Sequence, residues 1–225
     1  MTIGFFVTGT DTGVGKTLVA CALLHAFAAK GKSVVGMKPV AAGMEGGRYA
    51  DVDALIAASS VRGERHWVNP YAFAAPIAPH LAAGQQHLEI RLDTIVEAFR
   101  VLARRAEVVV VEGAGGFMIP LNARETGADL ARRLALPVVL VVGMRLGCLN
   151  HALLTSRAIA DQGLACAGWV ANCMQPGMLC VEENIRALSQ RIDAPLLATI
   201  ALLEAPLPAT AAALLDIDAV AGCAQ

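Results

Sequence analysis

The sequence predicts an α/β protein, with a mainly parallel sheet covered by helices on both faces, as in P-loop NTPases. Apolar runs that end in glycine or a polar residue alternate with segments of helical periodicity. The first apolar run leads through a glycine-rich turn, Gly13–Thr17, directly into a helical pattern. Strands that alternate with helices imply right-handed crossovers, with ligands at the carboxyl ends of the strands.

Six segments have the continuous apolar character of strands that are buried on both faces. They are Ile3–Thr8, Ser33–Lys38, Val108–Glu112, Pro137–Gly143, Ala167–Asn172 and, more weakly, Pro195–Ile200. Periodicity predicts helices at Thr17–Ala29, Arg91–Arg104, Ala128–Leu134, Asn150–Gln162 and Val181–Arg191. The proline-containing stretch Asn69–His80 is predicted to be a long ordered loop or a chain of short turns, and such loops are often functional.

The composition suits one domain spanning residues 1–225. Although 56% of the residues are hydrophobic, apolar stretches such as Leu136–Gly143 are far shorter than the ~20 residues that span a bilayer. The net charge of −1 and the lack of basic runs argue against nucleic acid or an anionic membrane as a partner. No basic segment precedes Ile3, and the six cysteines form no C-x-x-C pair, so we expect a cytoplasmic protein.

The stretch VTGTDTGVGKT, from Val7 to Thr17, carries the predicted phosphate site. The usual P-loop spacing would put a glycine where Thr10 stands, but the contacting end of the motif is intact. Backbone N–H groups of the turn and the positive end of the next helix attract phosphates. Lys16 is predicted to reach the outer phosphates, and the Thr17 hydroxyl to hold Mg²⁺.

Charged residues end two further predicted strands. Glu112, followed by a glycine-rich turn, stands where a magnesium carboxylate belongs, although most P-loop enzymes have Asp there. Lys38 ends the second strand, where an anion at the edge of the sheet would offset the cost of its burial. Pro39 fixes the turn that directs it outward.

The polar residues of two other segments allow more than one interpretation. Asp51 and Asp53 begin an alanine-rich helix, and helix capping explains Asp51 well. Asp53 is either a second metal carboxylate or another residue that complements the helix dipole, and the spacing does not decide between them. Asn172 ends a strand. Either its side-chain amide pairs with the edge of a purine, or the residue is simply the first of a loop.

The strings GTDTGVGKT, MKPVAAG, VEGAGG, NPYAF with PIAPH, VVGMRLGCLNH and GWVAN occur in this order. With them the chain resembles the dethiobiotin synthetase family from residue 5 to about residue 200. The resemblance implies an ATP- and Mg²⁺-dependent cyclo-ligase of biotin biosynthesis, which turns 7,8-diaminononanoate and CO₂ into the cyclic urea dethiobiotin. A carbamate and a carbamic-phosphoric anhydride would be the intermediates. It also implies a homodimer whose sites lie at the subunit interface.

The resemblance assigns residues to four functions. Lys16 and Lys38 would be catalytic, and Thr17, Asp53 and Glu112 would bind the metal. The nucleotide site would comprise Thr12, Gly13, Val14, Gly15, Lys16, Thr17, Leu18, Asp53, Glu112, Gly113, Gly115, Asn172, Cys173, Ala201, Leu202 and Leu203. The substrate would contact Thr12, Lys38, Ala42, Pro76, Pro79 and, from the partner chain, Leu146, Gly147, Cys148 and Asn150.

The chain departs from the family pattern at three positions. Ala42 replaces a common serine, Gly13 occupies a position that can be acidic, and Ala201 stands where proline is expected. None of these changes removes a charge that the chemistry needs. The main alternative is a nucleotide-switched ATPase of the ParA/MinD type, but the signature lysine of that class is replaced here by Asp11.

Overall fold

Strands and helices alternate along residues 2–202 and 207–222, which are the part of the chain that the computed structural model describes. The strands are β1 (Ile3–Gly9), β2 (Val34–Met37), β3 (Val40–Ala42), β4 (Tyr71–Phe73), β5 (Val108–Glu112), β6 (Val138–Met144), β7 (Cys166–Cys173) and β8 (Leu196–Ile200). The helices are α1 (Lys16–Ala29), α2 (Ala50–Ala58), α3 (Arg65–Val68), α4 (Pro79–Gln85), α5 (Leu92–Ala103), α6 (Gly127–Leu134), α7 (Cys148–Asp161), α8 (Val181–Ser189), α9 (Pro208–Ala212) and α10 (Ile217–Gly222).

The main sheet has six parallel strands in the order β2-β5-β1-β6-β7-β8. The strand order reverses around β1, and such a switch point leaves a crevice at the carboxyl ends of the strands. Val7 of β1 pairs with Glu112 of β5, and Val111 of β5 pairs with Met37 of β2. The phosphate turn, Glu112 and Lys38 therefore leave three neighbouring strands at the same edge. The predicted α/β fold with a mainly parallel sheet is confirmed.

Two apolar cores cover the two faces of this sheet. On one face, α5, α6 and α7 pack through residues such as Ile95, Ala131 and Ile159. On the other, α1, α9 and α10 pack through residues such as Leu23, Ala211 and Val220. Helices on both faces explain why the strand sequences are nearly continuous apolar runs. Within residues 2–202 and 207–222, no helix combines the length and the apolarity needed to cross a membrane.

The stretch predicted as a loop at Asn69–His80 contains regular structure. Its residues Tyr71–Phe73 form β4, which pairs in parallel with β3 in a separate two-stranded sheet. Helix α4 then begins at Pro79, a residue that suits the first turn of a helix. Three-residue strands carry no detectable periodicity, which is why the sequence does not predict them.

Candidate active site

The turn between β1 and α1 has the backbone geometry of an anion site. Gly13 and Gly15 have positive φ angles of 73° and 93°, which glycine adopts without strain. No side chain in the described part of the chain caps the N-terminus of α1, so its N–H groups remain available for an anion. Thr12, Gly13 and Gly15 line a cavity of about 650 Å³ that opens at this turn.

Lys16 is buried at the floor of that cavity. Its Nζ donates to the backbone carbonyl of Asp11 at 2.8 Å, while the Asp11 carboxylate pairs with Arg145 at 2.5 Å. Burial, followed by the nearby charge of Lys38, lowers the pKa of Lys16 to about 8. Both effects disfavour the charged form of this amine, and a bound anion such as phosphate would offset them.

Glu112 connects the phosphate turn to β2. Its Oε1 accepts from the Thr17 hydroxyl at 3.0 Å and lies 2.6 Å from Nζ of Lys38. The Glu112 side chain is 1% exposed, and its other oxygen, Oε2, has no hydrogen-bond partner among the described residues. A buried carboxylate oxygen without a partner is costly, and a cation would satisfy it.

Lys38 completes the charged cluster. Its Nζ lies 3.0 Å from Oδ2 of Asp51 as well as 2.6 Å from Glu112. Burial alone would lower the pKa of Lys38, but the carboxylates of Glu112 and Asp51 outweigh it and raise this pKa. Two lysines, two carboxylates and one hydroxyl therefore meet at one rim of the sheet.

Of the two acidic residues that begin α2, the structure brings Asp51 and not Asp53 to the cavity. Asp51 lines the cavity beside Lys38. Asp53 pairs with Arg48 at 2.9 Å and with Arg65 at 3.0 Å, and these two hydrogen bonds, that of Arg65 first, lower its pKa. The two carboxylates diverge because residues two apart on a helix do not share a face.

Asn172 lies at the end of β7, against the phosphate turn. Its Nδ2 donates to the carbonyl of Val14 at 2.9 Å, and a Cβ on Gly15 would lie 2.2 Å from the same nitrogen. Asn172 therefore restrains the turn directly. Four more residues were expected near the nucleobase. Cys173 ends β7 and is half-buried, and Ala201 and Leu202 follow β8 and are exposed. Leu203 lies outside the described residues.

The opposite wall of the cavity is apolar. It is formed by Val40, Ala42, Pro76, Ile77, Ala78, Pro79, Ala114, Gly115 and Ile119. Pro76, Pro79 and Ala42 were expected here, whereas Ile77, Ala78 and Ile119 carry no signal in the sequence that separates them from ordinary core residues. The wall suits an aliphatic chain that ends at the charged cluster.

Several expected site residues do not line the cavity. Val14 and Gly113 are buried beneath the two turns, and Leu18 follows Thr17 on α1, half-buried. Another four expected residues precede or begin α7 and are not among the residues that line the cavity: Leu146, Gly147, Cys148 and Asn150. Of these four, Leu146 is 98% exposed and Cys148 is buried.

Comparison with known proteins identifies relatives that match most of the chain. Residues 4–207 match the family described as AAA domain. The chain is 58% identical over 194 residues to the ATP-dependent dethiobiotin synthetase BioD of Nitrosospira multiformis, covering 86% of each protein. It is 53% identical over 217 residues to the protein of that name from Aromatoleum aromaticum, covering 95% of this chain and 96% of the relative.

Two solved structures with other names share the fold. The MinD protein of Pyrococcus horikoshii, complexed with Mg-ADP, matches 89% of this chain and 82% of its own with a TM-score of 0.54 at 16% identity. The signal recognition particle receptor FtsY of Elizabethkingia anophelis matches 99% of this chain and 65% of its own, with a TM-score of 0.56 at 19% identity. At these identities the likeness concerns the fold alone.

Proposed function

Because the chain belongs to the ATP-dependent dethiobiotin synthetase family, whose members are cyclo-ligases, we propose that it forms dethiobiotin from 7,8-diaminononanoate, CO₂ and ATP. One observation carries this proposal: Lys16 and Lys38 converge on one rim with Glu112, Asp51 and Thr17, next to an apolar wall. A carbamate and a triphosphate repel one another, so bringing them together requires concentrated positive charge.

In the proposed reaction, CO₂ adds to one amine of the diamine to form a carbamate, and ATP phosphorylates that carbamate. The second amine then attacks, which closes the ring and releases phosphate. Lys16 and the N–H groups of the turn would bind the phosphates, while Lys38 would hold the carbamate close to them. Such phosphoryl transfer depends chiefly on positioning and on electrostatic stabilisation.

The donor set of the rim fits Mg²⁺. Hard oxygen ligands are what this ion prefers, and the rim offers the hydroxyl of Thr17, the unpartnered Oε2 of Glu112 and the carboxylate of Asp51. When bound, the ion would neutralise charge on the phosphate oxygens. We propose Asp51, and not Asp53, as the second carboxylate ligand of the metal, because the Asp53 carboxylate is already paired with two arginines.

This assignment predicts opposite results for two matched variants. Asp51→Asn should raise the Mg²⁺ concentration needed for half-maximal turnover about 10- to 100-fold, because it removes a charged oxygen at the rim. Asp53→Asn should leave that concentration within about twofold, since the Asp53 carboxylate pairs with Arg48 and Arg65 and does not line the cavity. Titration of ADP release with Mg²⁺ measures both. The reverse pattern would return the metal role to Asp53.

The proposal includes a cytoplasmic homodimer of one-domain subunits, whose substrate site is completed by the partner. Two observations support this: Leu146 is exposed and does not line the cavity of its own subunit, and no side chain of the described residues caps the first turn of α7. N–H groups at the start of α7 would bind the tail carboxylate of a substrate held in the partner subunit.

The experiment that tests the function is ADP release with Mg²⁺ and bicarbonate, in the presence and absence of 7,8-diaminononanoate. We expect ADP release to depend on the diamine and to match the formation of dethiobiotin one to one. Diamine-independent ATP hydrolysis without dethiobiotin would instead favour the alternative of a nucleotide-switched ATPase.

A further inference from the structure

The backbone of Lys38 is held on both sides by the segment that precedes β4. Its N–H donates to the carbonyl of Val68 at 2.8 Å, and its carbonyl accepts from Nδ2 of Asn69 at 2.7 Å. Lys38 lies in the irregular junction between β2 and β3, where no strand partner fixes it. These two hydrogen bonds therefore determine where the lysine leaves the sheet.

Asn69 is shaped for this contact. The residue is 6% exposed, and its Nδ2 also donates to the carbonyl of Tyr71 at 2.9 Å. Two carbonyl acceptors fix the orientation of the amide group, because only the NH₂ side can donate to them. Oδ1 is buried and has no hydrogen-bond partner among the described residues, a cost that this orientation imposes.

We propose that Asn69 is a positioning residue for the reaction, acting through the backbone of Lys38; this inference rests on the proposed function. The Lys38 amine is held by Glu112 and Asp51, the same carboxylates that would serve the metal. Once a cation and the anionic substrates engage those groups, the side-chain contacts of Lys38 change partners. The backbone anchor from Asn69 does not involve the ligands and persists, so it keeps the amine at the carbamate.

The test is Asn69→Ala, with turnover and nucleotide affinity measured separately on the full-length enzyme. We expect kcat to fall at least about tenfold, because a small misplacement of a catalytic group is costly. The Kd for ATP-Mg²⁺ should stay within about twofold, since Lys16, Thr17 and the phosphate turn are not contacted by Asn69. Normal kcat, or a loss of nucleotide affinity as large as the loss of kcat, would overturn the proposal.

A matched control separates positioning from stability. Ser59→Ala also removes two hydrogen bonds to backbone groups, from the N–H of Gly36 at 2.9 Å and to the carbonyl of Leu55 at 2.7 Å. It loosens the same edge strand, β2, without touching Lys38. We expect its kcat to be unchanged at a comparable loss of thermal stability. An equal loss of kcat in both variants would assign Asn69 a purely structural role.

Asn69→Asp provides a second readout if the alanine variant does not fold. An ionised carboxylate cannot donate to the Lys38 carbonyl, whereas a protonated one has a single O–H that can. We expect the turnover of this variant, relative to wild type at the same pH, to rise as the pH falls. A pH-independent ratio contradicts the need for a donor here. Failure of the proposed function is distinct from this result, because it would appear as a wild-type enzyme with no diamine-dependent turnover.

Discussion

Replacing Lys16 with alanine should abolish ATP turnover, lowering kcat/KM by at least about 1,000-fold, or ~4 kcal/mol. The amine is buried at the cavity, where burial and the charge of Lys38 lower its pKa to about 8, and a bound phosphate would offset both effects. The substitution removes a positive charge from a buried position, where charges interact more strongly than in bulk water. ADP release at saturating diamine, bicarbonate and Mg²⁺ measures the loss.

The control for this variant is Lys32→Ala, which removes a half-exposed lysine whose amine forms a surface ion pair with Glu107. Surface pairs of this kind contribute little, so its turnover should remain close to wild type. Near-normal turnover in Lys16→Ala would refute the assignment of the turn as the phosphate site.

Replacing Lys38 with alanine should separate binding from chemistry. We expect nucleotide affinity to stay within a few-fold while diamine-dependent turnover falls at least about 100-fold, because the proposed role of Lys38 is at the carbamate. Isothermal titration with a non-hydrolysable ATP analogue and ADP release measure the two properties. A steep fall in nucleotide affinity with surviving turnover would show that this role is wrong.

Lys38→Ala should also destabilise the unliganded protein. Glu112 is 1% exposed, and without Lys38 its charge would be left buried beside Asp51. Removing one partner of a buried ion pair costs about 3–5 kcal/mol. Lys38→Met, which retains most of the side-chain volume but no charge, distinguishes the loss of charge from the loss of packing. Thermal unfolding of both variants beside the wild type measures the two contributions, and equal stability of Lys38→Met and wild type would show that the charge of Lys38 is not needed to stabilise Glu112.

The sheet could be predicted because buried parallel strands are continuous apolar runs such as Val108–Val111. The short strands β3 and β4 could not, since three residues show no periodicity. Element boundaries moved by one or two residues; α7 begins at Cys148 because Gly147, with φ of 93°, makes the preceding turn. These differences do not move the strand ends that form the site.

Lys16, Lys38 and Glu112 were predictable as charged residues of the rim because each lies at the end of a strand or at the phosphate turn. Sequence spacing did not decide whether Asp51 or Asp53 belongs to the rim, although the positions of the two residues relative to the buried face of α2 separate them. Asp51 precedes buried Leu55 by four residues and shares its face, whereas Asp53 precedes exposed Ala57 by the same distance. The contact of Asn69 with Lys38 joins residues 31 positions apart and has no sequence signature.

The hydrogen bond from Asn172 to Val14 ties the strand end expected to meet the nucleobase to the turn expected to grip the phosphates. If Asn172 contacts the base as expected, one amide group would couple base recognition to the conformation of the turn. A substitution at position 172 that is meant to change the nucleotide preference would also remove the hydrogen bond to the Val14 carbonyl. It would therefore need a second substitution that supplies another donor.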